Sequence, residues 1–280
     1  MSPRPATTLL HAAPRIPRHR PSLRPRLRPS LLALLILAVL TVKTAWAQDG
    51  DGLRADGGSA WGLGLGVAIE RKPYRGIDDE TRALPILMFE NRWVSLLGPR
   101  LDLKLPSAGP VSFRLRARYA GDGYEADDSP DLRGMDERKA GFWAGGAALW
   151  RTPYVNLSAE LLGDVSGHSK GTQFKLSAER GFKSGAFELT PRVAAIWLDS
   201  KYVDYYYGVR PGEATAGRAP HAGESTLNVE LGLRANYRFA PRQSVFVDVS
   251  GTALGSGIKR SPLVERSNQA GVRLGYLYRF

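Results

Sequence analysis

Very few side chains in this sequence could do acid-base or nucleophilic chemistry. Of four histidines, His168 and His221 lie in the body of the chain. His168 falls in Asp164-Val-Ser-Gly-His-Ser169, which gathers an acid, two hydroxyls and an imidazole, the ingredients of nucleophilic acyl transfer. A tight turn between two strands wants the same residues for its backbone geometry, so the segment reads as a turn, with a hydrolase site as the rival. His221 follows Pro220 in a loop without an acid or hydroxyl beside it. Asp127-Asp128-Ser-Pro-Asp131 clusters carboxylates but lacks the ligand spacing of a calcium loop, and it reads as a solvated loop or one bridged by cations to lipopolysaccharide. With zero cysteines there is no disulfide framework, thiol chemistry or acylated-cysteine anchor. The sequence therefore leads us to expect no catalytic, metal or cofactor site and a chain that is not an enzyme.

The remaining charges recur at every second residue, and that spacing identifies the elements that carry them. In Val111-Ser-Phe-Arg-Leu-Arg-Ala-Arg-Tyr119, one face holds Val111, Phe113, Leu115, Ala117 and Tyr119 while Arg114, Arg116 and Arg118 share the other. A period of two is a strand. It returns in Thr226–Tyr237, in the closing stretch from Ala270 to Phe280, and less fully at 61–69, 155–161, 174–178, 187–197 and 245–249. Segments of about 9 to 13 residues suit a tilted membrane-crossing strand. Short turns such as Arg151-Thr-Pro-Tyr154 alternate with long polar loops at 120–139, 200–222 and 255–267, as in a barrel with periplasmic turns and external loops. The fold class is thus all-β: an antiparallel up-and-down transmembrane β-barrel over residues 60–280. Twelve strands are expected, or ten if Gly98-Pro99 kinks one strand instead of turning a hairpin.

The polar faces then line the lumen. The expected lumen charges are Arg114, Arg116, Arg118, Lys175, Arg192, Arg234, Arg273 and Arg279 against Glu160, Glu179, Glu188, Glu230 and Asp248. Charges held there must pair or meet water. Trp61, Trp93, Tyr119, Trp143, Trp150, Tyr154, Trp197, Tyr202, Tyr237, Tyr276, Tyr278 and Phe280 stand near strand ends, where interfacial aromatic girdles belong. The ending on Tyr276, Tyr278 and Phe280 resembles the signal read by bacterial barrel-assembly machinery.

Residues 1–47 are of another kind. Seven arginines and no acid precede an apolar run from Leu31 to Val42, and Ala45-Trp46-Ala47 supplies a small-x-small site with cleavage between Ala47 and Gln48. We read this stretch as a signal peptide, with an uncleaved anchor as the rival, and 48–59 as a short periplasmic segment. Removing it takes away seven Arg, Lys43 and no acid, so the net charge falls from +12 to +4 and a nucleic-acid partner loses its support.

Several loop sequences carry a resemblance: Gly123-Tyr-Glu-Ala-Asp-Asp-Ser-Pro130 with Leu132-Arg-Gly-Met135, Tyr205-Tyr-Tyr-Gly-Val209 with Glu213-Ala214 and Gly217-Arg218, Ser261-Pro-Leu-Val264, and the ending Gly275-Tyr-Leu-Tyr-Arg-Phe280. Together they resemble the MipA/OmpV family over essentially the whole chain after the signal. Pro220-His221 departs from that family's pattern. The resemblance implies a Gram-negative outer-membrane barrel among lipid and lipopolysaccharide. It also implies a scaffold role, bridging a membrane-bound lytic transglycosylase and a bifunctional peptidoglycan synthase. No motif defines scaffolding residues, so none is carried over. The alternative is a narrow small-solute channel whose arginine-rich lumen leans toward anions.

Overall fold

A computed structural model describes residues 58–280, so the signal segment and its Ala47–Gln48 cleavage point lie outside the described residues. The period-two segments form antiparallel strands, each paired with the next: β1 (Ala60–Arg71), β2 (Glu80–Glu90), β3 (Val94–Leu97), β4 (Arg100–Lys104), β5 (Val111–Ala120), β6 (Gly141–Arg151), β7 (Asn156–Asp164), β8 (Thr172–Glu179), β9 (Phe187–Leu198), β10 (Thr226–Ala240), β11 (Gln243–Ala253) and β12 (Asn268–Arg279). β12 returns to β1, with Gly62 opposite Arg279 and Arg71 opposite Ala270, and the sheet closes. A further segment, Phe182–Ser184, continues β8 along the same flank of β9. Its separation has a chemical cause. Pro191 has no N–H to give, so only Arg180 N–H to Pro191 O remains at 3.2 Å, while the register resumes unchanged at Phe182 opposite Leu189. The barrel thus has twelve staves. Leu97 opposite Arg100 makes Gly98-Pro99 the turn of a hairpin, which removes the ten-strand alternative.

Alternation sorts the side chains. Leu63, Leu65, Val67 and Ile69 of β1 are exposed on the outside, Leu65 by 73%, and comparable rows run along β10 and β12. Only hydrocarbon makes such a continuous apolar band stable. On the inner face of β1 stand Gly62, Gly64 and Gly66, and the backbone of β12 approaches so closely that a Cβ on Gly64 would lie 2.2 Å from Tyr276 O. Glycine is required at this closing seam.

The β3–β4 hairpin rises only part of the way up the wall. Gly98 N–H donates to Leu87 O, so Leu87 and, by period, Thr81, Ala83 and Pro85 of β2 direct their backbone groups to that flank. Above Leu87 no strand segment pairs with them among the described residues. Pro85, lacking an N–H, sits on this open edge as proline in sheets must.

Both ends of the described chain and the turns 91–93, 105–110, 152–155, 185–186 and 241–242 lie at one end of the barrel; 72–79, 121–140, 165–171, 199–225 and 254–267 lie at the other. By the convention that turns face the periplasm, the second end is the outer one.

Candidate functional site

The outer loops do not splay into water. Tyr74, Ile77, Tyr124, Leu132, Met135, Val203, Tyr206, Tyr207, Val209, Ile258, Leu263 and Val264 are buried together in one cluster drawn from four loops. Helix α1 (Ser200–Tyr207) supplies its middle, with Asp199 capping its start by accepting the Tyr202 N–H at 2.8 Å. Its Tyr202, Val203, Tyr206 and Tyr207 are all buried. The helix packs onto inward-facing wall residues, since Trp143, Leu162 and Leu198 belong to the same cluster and the Trp143 and Tyr202 rings lie 5.6 Å apart. Trp143 and Tyr202 are therefore not girdle aromatics: Trp143 falls in phase with Gly141 and Gly145 on the inner face of β6, and Tyr202 lies on α1. The result is a dome folded over the outer mouth.

Polar anchors tie the dome across loops. Arg138 and Glu213, 1% and 5% exposed, pair at 2.8 Å, and Arg138 Nε also donates to Tyr205 O. Arg218 donates to the carbonyls of Asp131, Arg133 and Glu213. Tyr74 Oη donates to Tyr206 O and Ser261 Oγ to Tyr207 O. Burial alone would raise the Glu213 carboxyl; the Arg210 N–H, the Arg138 guanidinium and the Asp136 N–H together hold it below the usual range. Burial pushes the Tyr124 hydroxyl up to about 12 and the Asp122 carboxyl above its ordinary value.

Around the lumen, two networks gather most of the expected charges. Asp102 of β4 accepts from Arg114 at 3.0 Å and Arg116 at 2.7 Å, and Arg116 also reaches Glu160. Arg118 donates to Gln173 at 2.6 Å. Farther round, Asp248 takes both Nη atoms of Arg192, at 2.7 and 2.9 Å, and Arg234 Nε at 2.9 Å. Glu230 joins Arg192 and Lys175, each at 3.3 Å. Arg273 pairs with Glu70 at 2.6 Å. Glu179, Glu188 and Arg279 stand apart, toward the periplasmic mouth. Asp102, 1% exposed and central to the first network, is absent from the sequence-based set, although the alternation Arg100-Leu-Asp-Leu-Lys104 places it inward.

The triad ingredients resolve into a turn. Asp164 accepts the N–H and hydroxyl of both Ser166 and Ser169 and the N–H of Lys170. Exposed His168 turns Nδ1 to Ala140 O at 3.0 Å, so no serine-imidazole-carboxylate chain forms. In the acidic loop, Asp128 accepts the Glu125 N–H at 2.9 Å, a cap on a short 3-10 turn.

Set against known proteins, residues 63–280 match the family model described as MltA-interacting protein MipA. The MltA-interacting protein of Escherichia coli (strain K12) is 28% identical over 254 residues, covering 89% of this chain and 99% of that protein. The putative outer membrane protein YiaT of the same organism is 24% identical, covering 78% and 90%. Outer membrane protein OmpV of Vibrio cholerae is 29% identical over 161 residues, covering 58% and 63%. Among solved structures, an outer membrane channel from Pseudomonas putida F1 aligns with a TM-score of 0.44 at 12% identity, covering 84% of this chain and all of that one.

Proposed function

This chain belongs to the MipA/OmpV family of outer-membrane barrels, and on that basis we propose that it is a non-enzymatic scaffold for cell-wall remodelling, holding a lytic transglycosylase and a peptidoglycan synthase at the inner surface of the outer membrane. The observation that carries the reading is the asymmetry of the barrel: folded over outside by a dome with its own core, and bounded in the periplasm by short turns around a charged mouth. A device of this shape presents its reachable chemistry to periplasmic proteins. Most of the lumen charges serve as wall structure, paired in networks along the barrel. The test is a crosslinked pull-down from native membranes. Co-purification with a lytic transglycosylase is expected; its loss, with the barrel still folded, sinks the scaffold.

The rival is a narrow channel leaning toward anions, supported by the arginines of β5, β9, β10 and β12. It predicts conductance of the native barrel in planar bilayers with an anion-selective reversal potential. Silence, or a cation preference, eliminates it.

A further inference from the structure

The periplasmic mouth carries an excess of positive charge that the networks above do not absorb. Arg151 ends β6, Arg238 lies near the end of β10, and Arg279 ends β12. Each falls on the inner side by period: Arg151 with Trp143 and Ala147, Arg238 with Arg234 and Glu230, Arg279 with Arg273. Lys183 stands opposite Glu188 in the ladder, Arg92 and Arg242 occupy neighbouring turns, and Arg180 stands opposite Pro191 on the lipid-facing side by period. Among the described residues, the side-chain acids Glu179 and Glu188 and the C-terminal carboxylate share this end with these arginines; Lys104 and Glu90 pair with each other. Among the described residues, none of Arg92, Arg151, Arg180, Arg238, Arg242 and Arg279 has a carboxylate within 4.0 Å.

Holding like charges around one opening costs free energy unless an anion is there to meet them. We propose that the periplasmic mouth is a docking site for an acidic peptide segment of a periplasmic partner protein. Two features choose that anion. At the same level the lipid-facing positions are aromatic, with Trp150 beside Arg151, Tyr237 and Phe239 flanking Arg238, and Tyr278 and Phe280 flanking Arg279. Lipid headgroups therefore meet the girdle, whereas the lumen-facing guanidinium groups meet water. Arg238 and Arg279 end strands separated by β11 alone, whereas Arg151 ends β6 elsewhere on the rim, so a chain with several carboxylates can span all three where one small anion cannot. The inference deepens the scaffold reading and depends on it only for which partner carries the segment.

The experiment uses the full chain in phosphatidylcholine nanodiscs and fluorescence anisotropy with a labelled twelve-residue Glu-Gly-Ser repeat, beside a Lys-Gly-Ser counterpart. Saturable binding of the acidic peptide is expected, weakening with salt. The combination R151Q, R238Q and R279Q is expected to weaken it at least tenfold. Lysine at the same three positions retains it, and R210Q with R260Q, on exposed outer loops, leaves it unchanged. Heat-modifiable migration in detergent gels checks that each variant is folded, and if the triple glutamine variant is not, R238Q with R279Q is read instead. Equal binding by the glutamine variants, or by the lysine-bearing peptide, overturns the proposal. Abolition of peptide binding by phosphatidylglycerol in the disc also overturns it and assigns the mouth to lipid headgroups. Peptide binding that persists when the transglycosylase pull-down fails sinks the scaffold while leaving this site standing.

Discussion

The two ends of the barrel are built by opposite means from the same chain. At the outer end, four loops bury tyrosines and aliphatics in a core of their own and lock it with a fully buried ion pair. At the periplasmic end, turns of two to six residues hold their arginines apart in water. The dome depends on long-range packing and desolvated polar anchors; the mouth depends on nothing beyond the strands that carry it. Charge is structural where it is enclosed and available where it is open. This contrast predicts that the dome can be damaged while the barrel and its mouth survive.

The largest effect is expected from Glu213→Gln. It leaves Arg138 buried without its counter-ion, at about 3–5 kcal/mol by the usual cost of breaking such a pair. Protease added to intact cells should then cut within 121–140 or 199–225, with heat-modifiable migration retained. Simultaneous loss of the barrel would show that the two regions are one cooperative unit. Next, Asp248→Asn removes the carboxylate shared by Arg192 and Arg234, at about 1–3 kcal/mol because Arg192 keeps Glu230. It should lower the urea midpoint of the barrel without opening the dome.

Acidification is the third probe. Glu213 is depressed in the folded state, so its contribution is complete above the unfolded carboxyl near pH 4.5 and is lost as pH falls below that through the folded value. Protease sensitivity of the outer loops should rise over that window in the native chain, and the rise should be smaller in Glu213→Gln. The smallest effect belongs to Pro85→Ala, within about 0.5 kcal/mol in stability. Its restored N–H on the open edge of β2 should raise the yield of crosslinked dimers, and an unchanged yield would show that the edge is already shielded.

The wall was legible because a strand with lipid on one side and water on the other writes its orientation into every second residue. Even the Pro191 interruption leaves the period intact across β8. Asp102 could have been found the same way, but four- and five-residue strands give the alternation little room. The dome was not legible as a core. Tyr124, Leu132 and Met135 follow no period, and the loops around them are polar enough to pass as solvated. One signal was present: Tyr202, Val203, Tyr206 and Tyr207 repeat at helical spacing behind Asp199, an amphipathic turn with an N-cap. The loop motifs that carry the family resemblance proved to be dome residues, among them Tyr124, Leu132, Met135, Tyr206, Val209, Arg218 and Leu263.

The dome also keeps time. Tyr74 bonds Tyr206 across 132 residues of chain, and Arg266 bonds Lys72 across 194. The second contact cannot form until the loop before β12 has been delivered to the far side of the bilayer by its own hairpin. Its completion is therefore the last step of biogenesis, and a pulse of external protease during assembly would read out, as acquired resistance, the moment at which a barrel is finished.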